Sequence, residues 1–132
     1  LQNTFRTMIR ERGGPRPVDQ LHASFDVVEQ LIESDEFQGC IFVNAAMEFP
    51  LQHEPAHVLA SQNRHSIEDL LFELAVAAEA KHPRLLAEEL CLVMEGAYVT
   101  RVVTGKKCTI DIARRLARLA IEANCCAEPQ VS

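Results

Sequence analysis

The side chains of this chain that could do covalent or metal chemistry are few: five cysteines and five histidines in 132 residues. The cysteines are Cys40, Cys91, Cys108, Cys125 and Cys126. Their number is odd, no two have CxxC spacing, and three lie in apolar or helical surroundings. That usage fits a reducing cytoplasm. Cys40 and Cys91 read as buried thiols acting as small hydrophobes. The vicinal Cys125–Cys126 pair has the chemistry to bind a soft metal or to oxidise, but nothing beside it completes a site. His53 and His57 are four apart, like a metal pair on a helix. Pro55 between them is placed to start a helix, which leaves His53 outside it and removes the shared face. Cys40 with a histidine would need a third group to orient the base, and none is evident. No G-x-S-x-G, phosphate-cradling glycine loop or H-E-x-x-H occurs. The expectation is therefore no catalytic residue, no metal site, no cofactor, and not an enzyme. A small thiol enzyme or metal sensor is the reading this disfavours.

One further polar group is conspicuous by its setting. In GCIFVNAAMEF, Gly39–Phe49, an asparagine sits inside a nearly continuous apolar run closed by Pro50. Drawn as a helix, Cys40, Asn44 and Glu48 share one face, Ile41 and Met47 flank it, and Phe42, Val43, Ala46 and Phe49 cover the rest. Such a helix belongs in the middle of a domain. Asn44 is a poor helix former and costly to bury unpaired. Either Asn44 ties neighbouring helices or loop ends together through hydrogen bonds, or Asn44 or Glu48 faces a cavity and contacts a ligand.

The elements that must position these groups read as helices punctuated by Gly and Pro. The length suits one domain. With 48% apolar and 24% charged residues the composition is globular, and no apolar run approaches the ~20 residues of a membrane helix. A net charge of −6 argues against a nucleic-acid surface in these residues. Lys106, Lys107, Arg114, Arg115 and Arg118 read as solvated faces. Leu1 opens an amphipathic segment rather than a signal peptide, and the absence of an initial Met suggests a fragment or trimmed chain.

Leu1, Phe5, Met8 and Ile9 make the first apolar stripe, with no cap in view, ended by Gly13-Gly14-Pro15. Pro17 starts a second helix with Val18, Leu21, Phe25, Val28 and Ile32 on one side, broken by Ser34-Asp35-Glu36. Pro55 starts a third, running to about Ala80 with a polar first half. His82-Pro83 starts a fourth that continues through the β-branched run Val99–Thr104 to Gly105. Thr109 is placed to cap the last helix, with Asp111 in its first turn and Asp111–Arg115 and Arg118–Glu122 at i, i+4. The reading is an all-α domain of about six helices, without repeats or linkers.

The last two helices carry more apolar surface than one core face needs. Ile112, Leu116, Leu119 and Ala123 form one stripe, with Ile110, Ala113, Ala117, Ala120 and Ile121 beside it. The preceding helix is apolar almost all round from Leu90 to Val99, with Gly96 and Ala97 small enough for close approach. Helices apolar on two sides are covered twice. The second cover is read as another copy, two helices from each subunit forming a four-helix, two-fold interface. Leu90, Val93, Gly96, Ala97, Ile112, Leu116, Leu119 and Ala120 are the candidate dimer residues.

The blocks FQGCIFVNAAMEFP (Phe37–Pro50) and HPRLLAEELCLVMEGAYV (His82–Val99), with the Pro55 helix between them and the amphipathic helix after them, resemble the C-terminal domain of the tetracycline-repressor (TetR) family of bacterial transcriptional regulators. The order G-C-x-x-x-N-A-A-x-E, then L-A-x-x-L-x-x-x-x-E-G-A, carries the resemblance over nearly the whole chain. It implies a bundle that binds a small effector and dimerises through its last two helices, attached in the parent protein to an N-terminal helix-turn-helix domain that binds operator DNA. That domain is absent from these residues, so DNA enters only through the missing part. Residues 1–12 would be the end of the helix joining head to body, and 1–132 the effector-binding and dimerisation domain. The resemblance implies an apolar pocket with a few polar anchors. Candidate lining residues are Phe5, Met8, Phe25, Val28, Asn44, Met47, His65 and Phe72, with Tyr98 at the edge. The scarcity of aromatic hydrogen-bonding groups favours a hydrophobic or amphipathic effector. The other reading is a stand-alone helical dimer acting as an adaptor or scaffold without a ligand.

Overall fold

The computed structural model describes residues 2–33 and 55–125, and every regular element among them is an α-helix. In order these are α1 (Gln2–Gly13), α2 (Pro17–Ile32), α3 (Pro55–Ala77), α4 (Pro83–Thr104) and α5 (Thr109–Asn124). The further helix expected at Gly39–Phe49, with Cys40, Asn44 and Met47, lies outside the described residues. So do His53 and Cys126.

Proline starts α2, α3 and α4, as its missing N–H and fixed φ allow. Between α1 and α2 the chain turns through Gly14 at φ 77°, and the Gln20 side-chain amide donates to the Gly14 carbonyl at 2.6 Å. Gly13 lets the helices meet: a Cβ there would lie 2.9 Å from the Ala23 Cβ, the Asp19 carbonyl oxygen and the Gln20 Cα.

The one-sided pattern of α2 understates its position, because α2 touches each of the other four helices. Beside Leu21, Phe25, Val28 and Ile32, it also buries Ala23, Ser24 and Val27. Ala and Ser leave room for close neighbours, and the Ser24 hydroxyl donates to the Leu21 carbonyl at 2.7 Å, so no buried donor is wasted. Leu70, Leu71, Leu86, Leu90, Ile110 and Ile121 from α3, α4 and α5 complete the core around it.

Two arginines pin α2 to the last two helices. Arg101, buried on α4, donates its Nε–H to the Ile32 carbonyl at 2.8 Å, satisfying one of the orphan acceptors at the end of α2. Arg114 on α5 donates to Asp26 at 2.6 Å and to Glu29. Burial opposes its charge, but the Asp26 hydrogen bond and the two carboxylates raise its pKa. Arg114 was expected on a solvated face; the fold instead makes it a bridge to residues more than eighty positions away.

Helix ends show two departures from expectation. α3 stops at Ala77 rather than about Ala80, in a Schellman turn. Glu79 takes a left-handed φ of 60°, its N–H bonds the Val76 carbonyl at 3.0 Å, and the Ala80 N–H bonds Ala75 at 2.9 Å. Thr109 does not cap α5. It is the first helical residue and is buried, while Cys108 holds the cap position with no side-chain hydrogen bond. Backbone turns replace the cap, with the Thr109 and Asp111 amides bonding Lys106 and Cys108 at 3.3 and 3.0 Å. Val99–Thr104 is helical, as expected, and Gly105 at φ 71° ends α4. Buried Asn124 closes the far end: its backbone oxygen accepts from the Lys81 amide at 3.0 Å and its side-chain oxygen from the His82 amide at 3.1 Å. No described helix is long and apolar enough to cross a membrane.

Candidate functional site

The expected lining residues separate into three groups. Phe5, Phe25 and Val28 are buried in the single core cluster formed by α1, α2, α3, α4 and α5. Met8, Phe72 and Tyr98 are partly buried and pack against its margin. His65 is exposed on α3, away from that group, and Asn44 and Met47 lie outside the described residues. These six belong to the apolar core and its margin and come from α1, α2, α3 and α4.

A polar network missed at sequence level borders this region where α3 meets α4. Arg64 donates to Glu95 at 2.9 Å and to Glu68, while Arg84 donates to Glu68 at 3.0 Å and approaches Asp69 at 3.5 Å. The Arg84 guanidinium lies 4.0 Å over the Phe72 ring, a cation–π contact. Glu68 is buried between its two arginines, which is what makes its charge tolerable there. Arg64–Glu68, at i, i+4, was visible in the sequence; the links to Glu95 and Arg84 were not. Cys91 lies against this network and is no nucleophile. Burial pushes its thiol up to about 12, the Arg64 charge pulls the other way, and Glu68, Glu95 and Glu88 add to the rise. No group of three His, Cys, Asp or Glu able to hold a metal occurs among the described residues.

The second feature is an apolar face. Apart from Val76, the large apolar side chains left exposed among the described residues all lie on α4 and α5. On α4, Leu85, Leu92, Val99 and Val103 recur along one side, with Leu92 67% and Val103 76% exposed. On α5, Ile112, Leu116 and Leu119 do the same, Ile112 being 65% exposed. Each stripe is opposite its helix's core side, and α4 packs on α5, so the two stripes lie side by side. Gly96, exposed with no atom near its absent Cβ, lies within the α4 stripe. Val93 and Ala120 are half-buried against the core.

Two of the expected dimer residues are corrected. Leu90 and Ala97 are 0% and 4% exposed and face the protomer's own core, which leaves them no surface to bury against another copy. A helix apolar all round does not reveal which stripe faces inward.

Comparison with known proteins agrees with this architecture. Residues 17–117 match the family model described as "Tetracyclin repressor-like, C-terminal domain". The HTH-type transcriptional regulator YjdC of Escherichia coli is 29% identical over 98 residues, covering 74% of this chain and 51% of that protein; its Shigella flexneri counterpart matches equally. The chain thus spans about half the length of these curated relatives. Among solved structures, a TetR-family regulator from Streptomyces coelicolor superposes with a TM-score of 0.82 at 19% identity, covering 94% of this chain and 67% of that one. A putative TetR-type regulator from Streptomyces avermitilis gives 0.72 at 23%, covering 90% and 69%. At those identities the structures speak for the fold, while the family model speaks for descent. This chain belongs to the TetR family of transcriptional regulators, as a C-terminal domain of that family and not an enzyme.

Proposed function

We propose that this domain senses a small effector and holds two regulator subunits together. Two copies pair through α4 and α5 as a four-helix, two-fold interface. A hydrophobic or amphipathic molecule binds in the apolar region between α1, α2, α3 and α4, and the parent protein is thereby released from operator DNA. The observation that carries the reading is the pair of adjacent apolar stripes on α4 and α5, since a contiguous face of this kind marks an interaction site. The effector half is supported by where α1 sits. α1 packs on α2 and α3, whereas α2 is tied by Arg101 and Arg114 to α4 and α5. A ligand that favours one placement of α1 against that fixed frame shifts the population of body geometries, and with it the spacing of DNA-binding heads beyond α1.

Sedimentation of the wild-type chain is expected to give the dimer mass, and Leu119→Glu, which places a charge in the α5 stripe, the monomer mass. A folded wild-type monomer would refute the pairing. For the effector, a thermal-shift panel of hydrophobic small molecules should contain at least one that raises the melting temperature. A panel with no such molecule, on protein shown to be folded and dimeric, would count against ligand sensing.

A further inference from the structure

Among the described glycines, Gly13, Gly14 and Gly105 each have a reason within the protomer. Gly14 and Gly105 take left-handed φ values of 77° and 71°. Gly13 lets α1 and α2 approach so closely that a Cβ would lie 2.9 Å from α2. Gly96 has neither reason. It lies inside α4, well away from both ends, its φ is not left-handed, and nothing stands within 4 Å of the place its Cβ would take. Glycine at such a position weakens the helix relative to alanine, because it loses more backbone freedom on folding. The isolated protomer gains nothing in return.

The surroundings of Gly96 show where the gain lies. It is one turn from Leu92 and from Val99 and two turns from Val103, inside the exposed apolar stripe of α4. Leu92 and Val103 are the most exposed of the large apolar side chains among the described residues, at 67% and 76%, and Gly96 leaves a recess between them. A recess bordered by prominent apolar side chains is the shape that receives a side chain from another helix. The same face carries both the recess and the projections, so it is complementary to itself. A two-fold pairing requires this, because each contact is then made twice by one patch, with the axis lying in the plane of the face. A stable interface takes about 800 Å² from each partner. Seven large apolar side chains on the two stripes, each 38% to 76% exposed, can supply most of that.

We propose that Gly96 is the point of closest approach between two copies of this chain, where a large apolar side chain of the partner's stripe seats against the bare backbone of α4. The inference rests on the dimer reading above and adds the residue that fixes how the two faces fit. Exposed leucines and valines make the face adhesive; the missing side chain at Gly96 decides how near the second copy comes.

A larger apolar residue at this position tests the idea, because two effects then have opposite signs. On a face with free space at Gly96, added apolar surface tightens the dimer. Where the partner already fills that space, the same addition drives the copies apart. The dimer dissociation constant, measured by sedimentation, should rise about tenfold for Gly96→Ala and about a hundredfold for Gly96→Leu. In the monomeric Leu119→Glu background, Gly96→Leu should melt no lower than Leu119→Glu alone, which shows that the weaker dimer is not a folding defect. A Gly96→Leu dimer as tight as wild type, or tighter, overturns the proposal. So does a lower melting temperature in the monomeric background, which would place the reason for the glycine inside the protomer. A monomeric wild-type chain removes the dimer and this inference together. A wild-type dimer broken by Leu119→Glu but indifferent to Gly96→Leu removes the close approach alone.

Discussion

The Cys91 thiol and the Arg64–Glu68–Arg84 network lie together because α3 and α4 pack there, and each has a consequence at the scale of a single side chain. The thiol stays protonated in the fold up to about 12, while in the unfolded chain it ionises near its ordinary value of 9.0. Its folded pKa is raised, so its contribution to stability is present below about pH 9 and is lost as pH climbs towards 12. The melting temperature should therefore fall over the alkaline range, and Cys91→Val should flatten that fall. A wild-type curve identical to the variant's would contradict the burial argument. Alkylation at neutral pH gives a second readout: exposed Cys108 should react readily and Cys91 only on unfolding. Sequence reasoning placed Cys91 correctly as a small hydrophobe because its neighbours in the α4 pattern are apolar. It read Arg114 as solvated because Asp26 and Glu29 are a whole fold away along the chain. Ion pairs at i, i+4 are local and legible; those between helices exist only once the helices have docked.

Element boundaries follow local stereochemistry, and three substitutions test it. Glu79 adopts the left-handed conformation that closes the Schellman turn after α3, a position where an L side chain is strained and glycine is not. Glu79→Gly should stabilise the protein by about 0.5–1 kcal/mol in urea denaturation. Gly13→Ala should do the reverse. Alanine ordinarily gains up to about 1 kcal/mol over glycine within a helix. Here the new methyl would press on backbone atoms of α2 at 2.9 Å, and a net loss of about 1–3 kcal/mol is expected. Gly96→Ala is the contrast, because nothing lies within 4 Å of its added methyl. Measured in the Leu119→Glu background, where the dimer face plays no part, it should gain about 0.5–1 kcal/mol. The starts of α2, α3 and α4 and the ends of α1 and α4 were legible from Pro and Gly. The Thr109 cap was not, because a backbone turn from Lys106 to Cys108 performs the same service.

For the whole molecule, the proposed pairing through α4 and α5 would couple stability to concentration. Folding of the wild-type chain then includes an association step, so its melting temperature should rise with protein concentration. The Leu119→Glu variant should melt at one temperature throughout, and a wild-type melting temperature independent of concentration would argue against pairing. The apolar excess of α4 and α5 was legible in the sequence; its division between core and surface was not. Leu90 and Ala97 were expected outside and face the core, while Leu85 and Leu92 face out. Of the expected lining, Phe5, Phe25 and Val28 meet in the core because their stripes were strongly periodic, whereas His65 was chosen without a face to place it.

The amino-acid sequence by itself determined the class of the protein, most of the places where its helices begin and end, and the identity of most core-forming stripes. These depend on periodicity and on the dihedral demands of Gly and Pro, which act over a few residues. Only the tertiary structure decided that α2 is the central helix, that Arg101 and Arg114 pin it to α4 and α5, and which side of α4 faces outward. Those outcomes depend on which surfaces of distant segments meet, and an α-helix carries its side chains all the way round until a neighbour covers one side.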